Sequence, residues 1–328
     1  MPSPQNRFLI EALRMKRRAM KPRDRAKRGT KRVPWLYPSA IERAYVYKIA
    51  QWLRPLMARV EAWFEANAGA LLRGDHADAL PGGVFKVLYS TLKGWVAASW
   101  MDPNAPEKPA AVLMGLGETA TALSAFNQRQ WQKQLKYVLG YEFGLAEQWW
   151  TTTKDVWARR NYDLIKSLNE QYISKVNDLA EKAVSNGWTY KALMDEIKAT
   201  GANVTGPKAR FLARDQIGKL NGQVTQARQE EAGISKYWWR TSADERVRGR
   251  PGGRYPNALP SHWAMDGLLC RWDDATTCSH DQGRTWVARP SNAVRMHPGQ
   301  DYQCRCTADA FIEELVQAAD LGLKGEEK

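Results

Sequence analysis

Ala232-Gly233-Ile234-Ser235-Lys236-Tyr237-Trp238-Trp239-Arg240-Thr241 is where the chain changes its period. Before it, from Pro207 to about Ala232, apolar side chains recur at helical spacing behind a proline suited to a first helical turn. Gly233 ends the run, because glycine readily takes the left-handed conformation that closes a helix. Beyond it, Tyr237 to Thr241 is aromatic-rich and reads as a strand, as do Arg284 to Arg289 and Arg305 to Phe311. Loops rich in Gly, Pro, Asn and Asp separate these strands. A helical part followed by a region of short strands predicts an α+β fold.

Working back from this junction, the signal is helical almost throughout. Helices are expected at Tyr190 to Ala199 and from about Phe143 to Val184. The second has its clearest face in Ile165, Leu168, Tyr172, Val176, Leu179 and Ala183. Two more are expected around Glu118 to Leu139 and Val84 to Trp100. Ser39 caps a long amphipathic pattern in which Ile41, Tyr45, Ile49, Trp52, Leu56, Val60 and Trp63 recur every three or four residues, with a bend expected at Pro55 and a stop at Gly74. The linear plan is a basic flexible arm (1–33), a mainly helical body (34–186), a compact α+β module (187–311) and a tail (312–328) whose acidic and lysine end, Gly322 to Lys328, is expected to fray.

Charge is the first clue to partners. The 328 residues hold 49 Lys and Arg against 35 Asp and Glu, a formal charge of +14, and such an excess favours phosphate-rich ligands. Most of it is concentrated in the arm. Arg7, Arg14, Lys16, Arg17, Arg18, Lys21, Arg23, Arg25, Lys27, Arg28, Lys31 and Arg32 are opposed there only by Glu11 and Asp24. So dense a run would bind double-stranded DNA through counterion release, without sequence readout. A disordered solubilising tail is the competing reading. No apolar run is long enough to cross a bilayer, and Phe8-Leu9-Ile10 is too short for a secretory signal, so no membrane association is expected.

The 15 tryptophans mostly sit at helical spacing, as with Trp52, Trp63, Trp95 and Trp157, and read as core and docking anchors. In the pairs Trp149-Trp150 and Trp238-Trp239, one ring of each is expected to face away from the core, which suits a protein interface.

The last third carries the most specific series: Arg214-Asp215-Gln216 on a helix, Asn221, Gly233, then Trp239-Arg240-Thr241-Ser242-Ala243-Asp244-Glu245-Arg246-Val247-Arg248, His262, Asp266-Gly267, and finally His297 through Cys304-Arg305-Cys306. In order and spacing this resembles the Mu F-like minor head protein family of tailed bacteriophages, over roughly residues 150 to 310. Two departures stand out. Asp215-Gln216 replaces the family's Thr-Glu, and the Gly and Pro-rich stretch from Gly249 to Ser261 intervenes before His262. The resemblance implies a minor capsid protein, not an enzyme, that works in head morphogenesis near the portal vertex of the procapsid. It implies assembly in the host cytoplasm into the virion, with portal, major capsid and scaffold proteins and non-specific double-stranded DNA as partners. The family-motif residues are Arg214, Asp215, Trp239, Asp244, Arg246, Arg248, His262, Gly267, Cys304, Arg305 and Cys306.

Two readings compete for the charged members of this set. In one, Asp244 or Asp215 is a base, His262 an acid and the arginines phosphate clamps, as a nucleic-acid- or nucleotide-processing enzyme would need. In the other, they form a partly buried ion-pair network that fixes the module's loops. The second is preferred, since mixed carboxylate and arginine sets more often pair than catalyse. The cysteines Cys270, Cys278, Cys304 and Cys306 also crowd here, and too few are present for a disulfide scaffold. Cys278-x-His280 and Cys304-x-Cys306 could supply two ligand pairs for a structural zinc. Their spacing is tighter than the usual two to four residues, so free, half-buried thiols without a cofactor are the preferred reading.

Overall fold

The computed structural model describes residues 4–19, 34–72, 90–91, 94, 109–139, 147–313 and 317. Its helices are α1 (Pro4–Arg18), α2 (Ser39–Leu72), α3 (Pro109–Leu139), α4 (Trp150–Ser185), α5 (Tyr190–Asn203) and α6 (Ala209–Glu231). The strands are β1 (Lys236–Arg240), β2 (Leu269–Arg271), β3 (Thr277–Cys278), β4 (Val287–Ala288) and β5 (Thr307–Ala310). The fold is α+β, mainly helical, with a small C-terminal sheet of short antiparallel strands.

Gly233 closes α6 as expected. It sits at φ +76°, and the backbone N–H of Ile234 bonds the carbonyl of Gln229 at 2.8 Å while that of Gly233 bonds Glu230 at 2.9 Å. Such reversed bonds satisfy carbonyls the helix would otherwise leave open. The start of α6 differs from expectation. Pro207 opens no new helix; it lies in a π-helical turn, Val204–Lys208, that joins α5 to α6. A proline has no N–H to give, and one wide turn accommodates the missing bond.

The chain divides into two compact units that do not follow the linear plan. One comprises Met1–Ser39, Ala122–Trp150 and Arg214–Lys328; the other comprises Ala40–Thr121 and Thr151–Ala213. The 186/187 boundary expected from sequence does not coincide with a border of either unit, and α3 and α6 each contribute residues to both. Continuous helices carry no composition shift at the points where one unit gives way to the other, so the division leaves no mark in the sequence.

The second unit is helical. Tyr45, Ile49, Trp52, Leu56 and Val60 of α2 are buried, as are all six residues of the α4 face named above. Ile41 and Trp63 are half-buried. Inside this core the Tyr45 hydroxyl donates to Asn161 Oδ1 at 2.8 Å, and Asn161 donates in turn to the Trp157 carbonyl at 2.9 Å. A buried amide and phenol are thus both satisfied. Pro55 lies within α2 without ending it. The expected stop at Gly74, Trp95, and most of the Val84–Trp100 helix lie outside the described residues.

The first unit holds the sheet, ordered β2-β1-β5 and antiparallel throughout. On β1, Tyr237 and Trp239 point into one core with Met265, Cys270, Trp272, Val294, Cys304 and Cys306. Trp238 points the other way, into a smaller cluster with Leu269 and Phe311. The expectation of one outward ring in that pair is corrected, because both faces of the strand are covered. The Arg284 to Arg289 strand shrinks to β4, which pairs with β3. Strands β2 and β3 go beyond the sequence expectation, being too short to show alternation.

The flexible arm is also corrected over its first half. Residues 4–18 are helical, and Leu9 and Leu13, one turn apart, are buried with Trp35, Trp131, Leu135, Ile234 and Ala310. Lys and Arg are good helix formers, so dense charge does not forbid a helix, and the two leucines give it a docking stripe. Residues 20–33 lie outside the described residues, as does all of the expected tail except 312, 313 and 317. Among the described residues no helix is long and apolar enough to cross a membrane.

Candidate functional site

Close backbone approach positions the site. On α6, Gly218 and Gly222 lie one turn apart. A Cβ on the first would meet the carbonyl of Cys304, and one on the second the carbonyl of Pro298. The loop 298–304 can therefore lie directly on the helix, as only glycine permits. Asp215 on α6 secures it: one carboxylate oxygen accepts the backbone N–H of Gln303 at 3.1 Å, the other Lys219 at 2.6 Å and Gln216 at 2.9 Å. Arg214, beside it, offers its backbone carbonyl to the Tyr37 hydroxyl at 3.4 Å. Deeper in, Arg228 is 0% exposed. It is held by Glu147 at 2.5 and 2.7 Å, Asn127 at 2.6 Å and Ser124 at 2.9 Å. A buried guanidinium is tolerable only when its donors are met in this way.

After β1 the chain turns through Ala243, at φ +54°. Asp244 accepts from Arg305 at 2.5 Å, and from the side chain and backbone of Arg246 at 3.2 and 3.0 Å. Burial alone would raise its carboxyl, yet Arg305 and Arg246 hold it below the ordinary value. The insertion loops out and returns: Arg254 N–H bonds Glu245 at 2.6 Å and Gly249 N–H bonds Tyr255 at 3.0 Å. The N–H of His262 then reaches the Arg248 carbonyl at 3.1 Å. Thus 13 intervening residues leave His262 beside the Val-Arg pair. Gly267, at φ +78°, donates its N–H to the Trp239 carbonyl at 2.9 Å.

The arrangement that follows is the densest chemistry in the unit. His262 Nε2 lies 2.8 Å from Asp301 Oδ2, and Nδ1 lies 3.3 Å from Cys306 Sγ and 3.5 Å from Cys304 Sγ. Arg248 reaches Asp301 and the Tyr302 carbonyl, and its Nη2 is also 2.7 Å from His262 Nε2. Arg248 can only donate and the carboxylate can only accept, so the two compete for Nε2; because Arg248 has Asp301 and the Tyr302 carbonyl as acceptors, we assign a proton on Nε2, given to Asp301. Burial would raise Asp301, but the His262 contact, the Tyr302 N–H and Arg248 bring it down to about 2. With Nε2 protonated, the Nδ1 lone pair faces both sulfurs. Cys304 Sγ accepts the backbone N–H groups of Gly299 and Cys306, each at 3.4 Å. A bond from Cys306 is the main influence that lowers the Cys304 thiol, and burial pushes the Cys306 thiol up. Cys304 and Cys306 are only 3% and 6% exposed.

Among the described residues, His262, Cys304 and Cys306 form a group whose donor atoms all lie within 4.8 Å. The four-ligand set weighed in the sequence as the alternative to free thiols is not brought together. Cys278 is buried in the aromatic core, with Arg289 acting on it, and His280 is exposed. Thr277 to His280 is close in sequence to nothing it would have to chelate with, and a strand pairing turns it elsewhere. Sequence reasoning missed Asp301 as a site residue. It also missed Arg289, a buried cation that donates to the Val294 and Met296 carbonyls at 2.9 Å each and lies 5.5 Å from the Trp239 ring centre. Neither carries a local signal.

A cleft of about 650 Å³ opens beside β1 and β5, lined by Trp35, Tyr37, Arg240, Thr241, Asp244, Arg305, Thr307 and Asp309 among others. Its charges are compensated: Arg305 faces Asp244, and Arg240 lies 3.1 Å from Asp309. Asp309, buried, also accepts the Trp35 N–H at 3.1 Å. The Asp244, Arg246, Arg248, His262 and Arg305 side chains are thus brought into one region by paired contacts, whereas Arg214 and Asp215 serve the helix-to-loop junction.

Residues 174–309 match the family model described as phage Mu protein F like protein. This segment is similar to phage Mu protein F-like proteins. It contains α5, α6, the His262 group and the sheet as far as Asp309 of β5. An uncharacterized protein of Haemophilus influenzae is 39% identical over 157 residues, which cover 48% of this chain and 29% of that relative. The aligned stretch is therefore less than a third of the relative's length. No solved structure matches the chain.

Proposed function

We propose that this protein acts in the head morphogenesis of a tailed bacteriophage, as a minor capsid protein that binds and positions other components and is carried in the virion. The observation that carries this reading is the match of residues 174–309 to the Mu F-like family model. Its partners on this reading are the portal protein, major capsid and scaffold proteins, and double-stranded DNA held without sequence preference. Mass spectrometry of purified heads, combined with crosslinking, tests it. The protein should be recovered with crosslinks to the portal; its absence from heads that assemble normally would refute the proposal.

The DNA role rests on the basic N-terminal segment. Helix α1 turns Leu9 and Leu13 inward and leaves Arg7 and Arg18 exposed, while Arg14 pairs with Glu11 at 3.2 Å. Phosphates neutralised by such a face release counterions, so affinity should fall steeply with salt. Deleting the segment would be a poor test, because it also strips two core leucines. Changing Arg7, Lys16, Arg18 and the basic residues from Lys21 to Arg32 to Gln leaves Leu9 and Leu13 in place. Every phosphate that the variant no longer neutralises should flatten the log-log salt slope by about 0.9. Filter binding at two salt concentrations reads this, and an unchanged slope and affinity would remove the DNA role.

The rival reading is a nucleic-acid- or nucleotide-processing enzyme. Cys304, His262 and Asp301 stand in the order nucleophile, base and orienting carboxylate. Against it, both thiols are enclosed, and a nucleophile must reach its substrate. Binding without bond-making is the reading we adopt.

A further inference from the structure

We propose that His262, Cys304 and Cys306 bind a single zinc ion, with Asp301 holding the imidazole in the orientation the metal requires.

The donor spacing fits the ion. With Zn–S of about 2.3 Å, Zn–N of about 2.05 Å and a tetrahedral angle, a nitrogen and a sulfur on one zinc stand roughly 3.5 Å apart. The Nδ1 to Sγ distances are 3.3 and 3.5 Å. Both sulfurs lie on the same side of the ring, with the lone pair directed at them. On the far side, the Nε2–H to Asp301 contact at 2.8 Å is the carboxylate-histidine arrangement that fixes tautomer and ring angle at zinc sites. Backbone N–H groups at 3.4 Å from Cys304 Sγ stabilise a thiolate there.

Two further observations point to a ligand. Trp239, which packs in the same core as Cys304 and Cys306, is fully buried, and its indole N–H has no hydrogen-bond partner. A buried indole donor left without a partner is costly, and metal-bound thiolates in the same core would be stronger acceptors for it than neutral thiols. Charge balance agrees. Two thiolates, a neutral imidazole and a divalent cation sum to zero, and Asp301 with Arg248 sums to zero beside them, so the assembly can stay buried. The sulfurs also favour zinc over magnesium or calcium, which take oxygen ligands. The described residues supply three donors, and the fourth position falls to a small exogenous ligand such as water. The ion would tie the return of the 249–261 loop to the strand entering β5, a staple suited to a region of two- to five-residue strands.

The full-length chain, purified without chelator, should hold one zinc per molecule. Replacement by cobalt(II) should produce thiolate-to-cobalt charge-transfer absorption and the intense visible bands of a tetrahedral site. Cys304→Ser, Cys306→Ser and His262→Ala should each abolish those bands, whereas Cys270→Ser and Cys278→Ser should retain them. Asp301→Asn, which removes no ligand, should weaken affinity by about 10- to 100-fold in a competition titration. Because a ligand variant that fails to fold would show no bands for a trivial reason, the wild-type chain decides the matter. A folded wild-type chain that holds no zinc and gives no cobalt band overturns the proposal, as does a band that survives in folded Cys304→Ser or disappears in folded Cys278→Ser.

Discussion

At position 297 an imidazole is kept neutral inside the sheet's core. Its Nδ1 lies 2.9 Å from the Tyr237 hydroxyl. Burial, followed by the nearby Arg289 charge, lowers its pKa from the usual 6.5 to about 4. A histidine whose folded value is depressed binds its proton more readily in the unfolded chain. The stability it contributes is therefore complete above about 6.5 and is lost as pH falls toward about 4. Urea unfolding between pH 7 and 4 should show the wild-type midpoint dropping more steeply than that of His297→Gln. Parallel pH profiles would show that this residue is not responsible.

Helix α6 is the element that organises the first unit, and its glycines fix how closely the 298–304 loop can approach. Gly222→Ala would put a Cβ against the Pro298 carbonyl, backbone that cannot swing aside, and should cost about 1–3 kcal/mol. The reverse is expected in α3, where a Cβ on Gly117 meets nothing within 4 Å. There Gly117→Ala should stabilise by roughly 0.5–1 kcal/mol, since the unfolded chain loses freedom and the helix gains a better former. Chemical denaturation of the two variants side by side tests the sign of each. A stabilised Gly222→Ala would mean that the loop does not rest on the helix.

Across the whole molecule, the N-terminal segment has two separable roles. Its leucines are part of a core built from residues as distant as Trp131 and Ala310, so Leu13→Ala should destabilise by about 2–5 kcal/mol. Arg7 and Arg18 are exposed, and Arg7→Gln or Arg18→Gln should change stability by no more than about 0.5 kcal/mol. Thermal and urea unfolding distinguish the two classes. Equal, large losses from both would mean that the charges carry structure as well.

What the sequence alone determined was local. The Gly233 break, the buried faces of α2 and α4, the aromatic strand β1 and the ordered series from Arg214 to Cys306 were all legible, because helix and strand periods and left-handed glycines act within a few residues of chain. What only the tertiary structure decided was partnership: that Cys304 and Cys306 face His262 and not Cys278 and His280, that Asp301 stands behind that histidine, and that half of a basic arm docks as a helix. Those outcomes depend on where an inserted loop returns and on two glycines that let backbone lie on backbone. Contacts between residues some 40 or more positions apart leave no periodic trace, since they are set by chain closure and packing rather than by the preferences of neighbouring residues.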